Sequence, residues 1–260
     1  MITFNTKIVT WNANGIRHKI DELIAFVSQN KADVIAINET KLNKNDRFKI
    51  KNYNVIRQDR DDGARAGGVA IIIRKGITFK VIKNMKQTSF RENSNKTDSQ
   101  RDNVYNKPLN NFTENDLKVL NRIPGKVVIM GDFNAKHLNW GCNRINTNGT
   151  VIKYFTEKTE LMMHFSDEPT HFPENNMTPT TIDIFLTKNI NIEKPTSLYE
   201  LNSDHNPVVT HIEQVFTENT TKTITSFKNT NWIKFRKTLD SLITINDNIK
   251  NTQQLEQETN

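Results

Sequence analysis

The chain has a single cysteine, Cys142, so it cannot carry an internal disulfide framework and has no disulfide partner of its own; a reducing compartment is implied. No apolar run is long enough to span a bilayer, which excludes a transmembrane helix and a membrane role. Residues 1–10 lack the apolar stretch of a signal peptide. Hydrophobic residues make up only 35% of the 260, which is low but sufficient for one large α/β domain with a tail, or for two small domains. Negative charge is also short. Asp and Glu number 29 against 36 Lys and Arg, for a net charge of +7, which fits an anionic partner and nucleic acid foremost.

What is present is a repeated form: an apolar strand with an acid or amide at its exit. Val127-Val128-Ile129-Met130 reads as a strand buried on both faces, stopping at Gly131, with Asp132 and Asn134 next. In extended backbone those two side chains point the same way, although Gly-Asp-x-Asn is also ordinary turn chemistry. Lys7-Ile8-Val9-Thr10-Trp11-Asn12 is a first strand ending in two carboxamides, Asn12 and Asn14, before Gly15. Residues 33–40 form a second buried strand that ends in Glu39 and then Lys41. Asp183 sits inside the apolar segment Ile182-Asp183-Ile184-Phe185, where a lone carboxylate costs several kcal/mol unless it is paired. Its best-placed partner is Asn202-Ser203-Asp204-His205-Asn206-Pro207, a histidine entering a final strand and suited to general-base work or phosphate binding.

Between these motifs the spacing predicts a helix from Ile16 through Val27, strands at 53–56 and 69–73, and a helix capped by Thr113. Further helix and strand follow at 148–161 and 162–165. The double glycine Gly67-Gly68 marks a bulge or a close backbone approach. Residues 83–103 are polar with no strand or helix period and read as an irregular, mobile insert. After 212 the apolar content falls; residues 213–260 form a threonine-rich linker, an amphipathic helix from Trp232 to Ile243, and a polar tail.

Five segments in this order, Thr10-Trp11-Asn12-Ala13-Asn14-Gly15, Ile37-Asn38-Glu39-Thr40-Lys41, Gly131-Asp132-Phe133-Asn134, Thr181-Ile182-Asp183 and Ser203-Asp204-His205-Asn206-Pro207, resemble the endonuclease/exonuclease/phosphatase family. Trp-Asn-Ala-Asn-Gly, the run from Gly131 to Gly141, and Thr230-Asn231-Trp232 narrow the likeness to the N-terminal endonuclease domain of jockey-type non-LTR retrotransposon polyproteins. The resemblance covers residues 6 to about 212. It implies a DNase I-like fold: a four-layered α/β sandwich of two packed β-sheets flanked by helices, with the site at one edge. It implies that Glu39 holds a divalent metal, Mg²⁺ with Mn²⁺ as the alternative, with Asn12, Asn14 and Asp204 beside it. Asp132 would orient or deprotonate the attacking water. Asn134 and Asn12 would hold the scissile phosphate. His205, oriented by Asp183, would contact the phosphate, and Tyr105 stands for the family's active-site tyrosine. The partner implied is DNA, and the location intracellular, nuclear if the chain is active; oligomeric state stays open.

The chemistry is coherent on its own terms. Phosphodiester cleavage needs neutralised phosphoryl oxygens, an activated water and a stabilised leaving group. Hard oxygen ligands suit Mg²⁺, and an all-oxygen set with no Cys pair argues against zinc. Three readings compete: a metal-dependent endonuclease that leaves a 3′-OH for primed reverse transcription; a degenerate, inactive transposon remnant with at most nucleic-acid binding, suggested by the polar stretch 83–103; and a hydrolase of a small phosphoester, which the basic charge disfavours.

Overall fold

In a computed structural model, residues 2–60, 62–82, 88–92, 99–103, 113–174, 177–216 and 231–242 are described. One six-stranded sheet holds β1 (Ile2–Asn12), β2 (Val34–Asn38), β3 (Tyr53–Gln58), β4 (Val69–Arg74), β11 (Thr196–Ser197) and β12 (Val208–Phe216), in the order β11-β12-β1-β2-β4-β3. The other holds β5 (Phe79–Ile82), β6 (Thr88–Glu92), β7 (Ser99–Asn103), β8 (Lys126–Asp132), β9 (Met162–His164) and β10 (Asp183–Lys188), in the order β5-β6-β7-β8-β10-β9.

The strands are apolar on both faces because both sheets are covered twice. In β2, Ile35 and Ile37 pack with Leu23, Phe26 and Val27 of helix α1 (Ile20–Asn30), while Val34 and Ala36 face the second sheet. In β8, Val127 and Ile129 pack with Leu117 and Leu120 of α2 (Glu114–Asn121) and with Ile152 and Phe155 of α3 (Thr147–Lys158). Val128 and Met130, with Phe185 of β10, face the first sheet, where they meet Ile8, Ile71 and Val208. The layers therefore run helix, sheet, sheet, helices: the four-layered α/β sandwich that the resemblance implied. Each such side chain, fully buried, contributes roughly 1.5–3 kcal/mol.

This alternation decides where the polar residues at the strand exits point. Asn12 has the parity of Ile8, Asn38 that of Val34 and Ala36, Asp132 that of Val128 and Met130, and Asp183 that of Phe185. All four side chains therefore turn into the seam between the sheets. Registers bring the exits level, with Asn12 opposite Asn38 in the parallel pair β1–β2 and Asp183 opposite Asp132 in the antiparallel pair β8–β10.

Several expectations change. Residues 88–92 and 99–103, expected to be irregular, are strands: β6 pairs with β5 and β7, and β7 runs parallel to β8 from Ser99 opposite Lys126 to Asn103 opposite Met130. The buried strand β8 needs a ladder partner on that side, and backbone groups supply it whatever the side chains are. Residues 83–87 and 93–98 lie outside the described residues, as does Tyr105. β8 runs through Gly131 to Asp132 rather than stopping at the glycine. Helix α3 starts one residue earlier than expected, at Thr147, and is capped by Asn146, whose side chain accepts from the Gly149 amide. Gly67-Gly68 is a close approach: the Thr40 amide donates to the Gly68 carbonyl at 3.1 Å, and a β-carbon on Gly68 would lie 2.6 Å from the Thr40 hydroxyl.

The chain divides into one compact unit of residues Met1–Thr217 and another of Glu218–Asn260. In the second, helix α4 (Trp232–Leu242) is begun by Asn231, whose side chain accepts from the Lys234 amide at 3.0 Å, and Trp232 and Phe235 meet edge to face at 5.8 Å. Among the described residues no helix is long and apolar enough to cross a membrane.

Candidate active site

Asn12 and Asp132 meet at the seam. The Asn12 amide donates to Asp132 Oδ2 at 3.0 Å and lies 3.4 Å from Glu39 Oε1. The Asp132 backbone amide donates to Asn38 Oδ1 at 3.2 Å, a second link between the sheets. Asn134 does not reach its place through extended backbone, as its spacing had suggested. It adopts a left-handed conformation (φ 47°), its amide donates to Asp132 Oδ1 at 2.9 Å, and its side-chain nitrogen to Asp132 Oδ2 at 3.2 Å. Asn14 repeats the device (φ 43°), its amide donating to Asn12 Oδ1 at 3.0 Å. Both Asx-x-Asn pairs are therefore tight turns closed by the first side chain, a conformation asparagine tolerates. Glu39 is also left-handed, at φ 49°, which turns its carboxylate off the β2 line toward Asn12.

Asp183 and His205 form a buried pair with His205 Nδ1 2.8 Å from Asp183 Oδ2. The Thr170 hydroxyl donates to the same oxygen at 2.7 Å while accepting from the Ile182 and Asp183 amides at 3.1 and 3.2 Å. His205 Nε2 faces the other way, 3.9 Å from Asp132 Oδ2. Trp11 Nε1 holds the His205 carbonyl at 3.1 Å. Ser203 joins the last motif to the first, its hydroxyl donating to the Asn12 carbonyl at 2.8 Å and lying 3.2 Å from Asp204 Oδ1. Asn14 Nδ2 donates to Asp204 Oδ1 at 3.1 Å. Asn12, Asn14, Glu39, Asp132, Asn134, Asp183, Asp204 and His205 thus converge on one edge of the sandwich, each linked by hydrogen bond to another of the set.

The electrostatics are unusual for groups this deep. Burial opposes charge on His205, but the Asp183 carboxylate, by charge and hydrogen bond, together with Asp132 and Asp204, outweighs it and lifts the imidazole to about 9. Burial lifts the Asp132 carboxyl to about 7; Asp183 adds to the rise, while His205 and the amides of Asn134 and Asn12 oppose it. Burial also acts against Asp204, but His205 and the hydrogen bonds from Asn14 and Ser203 bring it below the usual carboxylate range. Glu39, Asp132 and Asp204 bring carboxylate oxygens to this edge, and Asn12 and Asn14 carboxamide oxygens, hard donors of the kind Mg²⁺ takes. Lys41 shows that the place draws positive charge, since its ammonium donates to Asn14 Oδ1 and sits 3.5 Å from Glu39 Oε2.

Several contributors escaped the sequence reading. Thr170 and His171 lie in a loop with no periodic signal. Asn38 looked like a strand residue, and its parity with Ala36 was the available clue. Asn146, the α3 cap, also holds Asn134: its Nδ2 donates to the Asn134 carbonyl at 2.7 Å and its Oδ1 accepts from the Lys136 amide at 2.9 Å.

The sequence model described as the Endonuclease/Exonuclease/phosphatase family matches residues 9–205. Among curated relatives, the chain is 26% identical over 261 residues to a probable RNA-directed DNA polymerase from transposon BS of Drosophila melanogaster, covering 96% of this chain and 29% of that protein. It is 24% identical over 212 residues to the RNA-directed DNA polymerase from mobile element jockey of Drosophila funebris, covering 78% and 23%. The chain thus spans less than a third of the curated relatives it matches. Among solved structures, the endonuclease domain of TRAS1, a telomere-specific non-LTR retrotransposon, superposes with a TM-score of 0.65 at 16% identity, over 80% of this chain and 98% of that one. The AP endonuclease LMAP from Leishmania major gives 0.65 at 12% identity, over 81% and 88%. These likenesses fix the fold as DNase I-like.

Proposed function

Because the chain belongs to the Endonuclease/Exonuclease/phosphatase family, we propose that it is a divalent-metal-dependent DNA endonuclease, related to those of non-LTR retrotransposons, that nicks a strand and leaves a 3′-OH to prime reverse transcription. The observation that carries the reading is the seam constellation: Asp132 held by Asn12 and Asn134, facing the Nε2 of an imidazole that Asp183 keeps protonated. The net charge of +7 suits a polyanionic substrate.

Glu39, Asn14 and Asp204 would hold the metal, Mg²⁺ by the hardness of these donors, with Mn²⁺ as a substitute. A bound divalent ion supplies charge neutralisation to the phosphoryl oxygens. The protein's own groups do the rest. Asp132 accepts a proton from the attacking water, and a carboxyl lifted to about 7 is a better base near neutral pH than an ordinary one. Asn134 and Asn12 orient that carboxylate and the phosphate through their amides. His205 donates from Nε2 to a phosphate oxygen and offsets the charge that grows there in the transition state. Thr170 and Asp183 hold its ring in place.

Supercoiled plasmid DNA incubated with the protein and Mg²⁺ tests the reading. Open circles that religate with DNA ligase only after a 5′-phosphate, 3′-OH nick are expected, and none with EDTA. Intact plasmid under all metal conditions sinks the proposal and leaves the binding-only alternative.

A further inference from the structure

Two histidines, not one, converge on Asp204. His171 follows Thr170 in the loop ahead of β10 and is half-buried. Its backbone bridges to His205 and to Thr180; the Phe172 amide donates to the Asp204 carbonyl at 2.7 Å, and the Asn206 amide to the Thr170 carbonyl at 2.8 Å. The two segments are thus hydrogen-bonded like neighbouring strands, and their side chains are placed by backbone rather than by flexible loops. The imidazole rings lie with centroids 4.5 Å apart at 44°. Each ring has its Nδ1 engaged on the far side, His205 with Asp183 Oδ2 at 2.8 Å and His171 with Thr180 Oγ1 at 3.4 Å. That leaves the Nε2 of each ring free of a close partner, 3.8 Å from Asp204 Oδ2 in His171 and 3.9 Å from Asp132 Oδ2 in His205. Asp204 divides its oxygens in the same way: Oδ1 takes Asn14 and Ser203, while Oδ2 lies 3.8 Å from His171 Nε2. One ligand atom from each of His171, Asp204 and His205 lies within 4.8 Å of the others.

We propose that His171, Asp204 and His205 form a second divalent-metal site, selective for a nitrogen-seeking ion of the Zn²⁺ class, and that filling it switches the active site off. Two imidazoles with one carboxylate make a donor set that prefers Zn²⁺ and its neighbours to Mg²⁺. An outer hydrogen bond at Nδ1 is the usual way a ligating imidazole is aimed, and both rings have one. The inhibitory half of the proposal rests on the nuclease reading: an ion on His205 Nε2 takes the donor meant for the phosphate. It also draws Asp204 away from the oxygen set around Glu39. The binding half stands without that reading.

The first probe is Co²⁺ added to the whole wild-type chain. Strong visible absorption bands from a four- or five-coordinate nitrogen-containing site, bleached by one equivalent of Zn²⁺, are expected. Only the weak bands of an octahedral, oxygen-ligated ion would overturn the proposal. The second probe is Zn²⁺ titrated by calorimetry into wild type, H171N and, as a surface control, H211A. H171N should lose at least about tenfold in Zn²⁺ affinity, as expected when a metal-site partner is removed, and H211A should not. Equal affinity in wild type and H171N overturns the assignment, and the Co²⁺ spectrum decides alone if H171N fails to fold. In plasmid nicking with Mg²⁺, H171N should need at least tenfold more Zn²⁺ than wild type for half-inhibition, each protein read against its own zinc-free rate. If wild type does not cut at all, the nuclease reading fails while the Co²⁺ and Zn²⁺ titrations still judge the metal site.

Discussion

Asn12 and Asp132 belong to different sheets and stand 120 residues apart in the chain, yet the amide of one donates to the carboxylate of the other at 3.0 Å. Because Asp132 also accepts from the backbone and side chain of Asn134, its carboxylate is fully oriented before any substrate arrives. Asp132→Asn keeps the shape but cannot take a proton. Nicking should fall by about 10²–10⁴, the range for a positioned base, with an unchanged circular dichroism spectrum. Activity near the wild-type rate would remove Asp132 from its role.

The Glu39 carboxylate lies within reach of both Asn12 and Lys41. Glu39→Gln should abolish Mg²⁺-dependent nicking while the fold persists. A variant that still cuts with Mg²⁺ would mean that the ion is held elsewhere.

Asp183 and His205 act as one unit in this geometry. Asp183→Asn and His205→Ala should each cost about 10²–10⁴ in rate, and the double variant should be little worse than His205→Ala alone. Fully multiplicative losses in single-turnover nicking would show that the two work independently.

Stability should fall as pH rises from 6.5 to 9 in metal-free buffer. His205 is lifted to about 9 against an unfolded value near 6.5, so the folded chain holds a proton that the unfolded chain has released. That contribution is complete below about 6.5 and is lost through about 9; Asp132, raised to about 7, works in the same direction up to neutrality. Thermal melts of wild type in EDTA should drop across this window, and His205→Asn should flatten the slope. A wild-type melting temperature that is level or rises from pH 6.5 to 9 would contradict a buried imidazolium.

Gly149 is irreplaceable for steric reasons alone. A β-carbon there would fall 1.9 Å from the Lys136 carbonyl oxygen, inside the loop that Asn146 ties to Asn134. Alanine normally stabilises a helix by about 1 kcal/mol over glycine. Here Gly149→Ala should destabilise by roughly 1–3 kcal/mol, as overpacking does, and should slow nicking by shifting Asn134. A raised melting temperature would show that the loop yields freely.

Much of this was legible from strand exits. The motifs around Asn12, Glu39, Asp132, Asp183 and His205 were readable because buried strands are written as uninterrupted apolar runs, and a polar residue at the end of one stands out. The strands at 88–92 and 99–103 were not readable: backbone ladders tie β6 to β7 and β7 to β8, and a hydrogen-bonded backbone leaves no pattern of apolar residues to find. At Asn14 and Asn134 spacing alone could not decide between a two-residue strand step and an Asx turn; both are turns. Thr170, His171 and Asn146 were invisible for a different reason: their partners lie in distant segments, and only the closed fold brings them together.

The pairing of β1 with β12, from Ile2 opposite Phe216 to Thr10 opposite Val208, sets the order of events during synthesis. β1 is flanked on one side by the last strand of its unit, so that hydrogen-bonding edge stays open until about two hundred further residues have been made. Contacts of such long sequence separation form late and slowly. His205 and Asp204 arrive on that same closing segment, so a growing or prematurely ended chain lacks the site as well as the final strand.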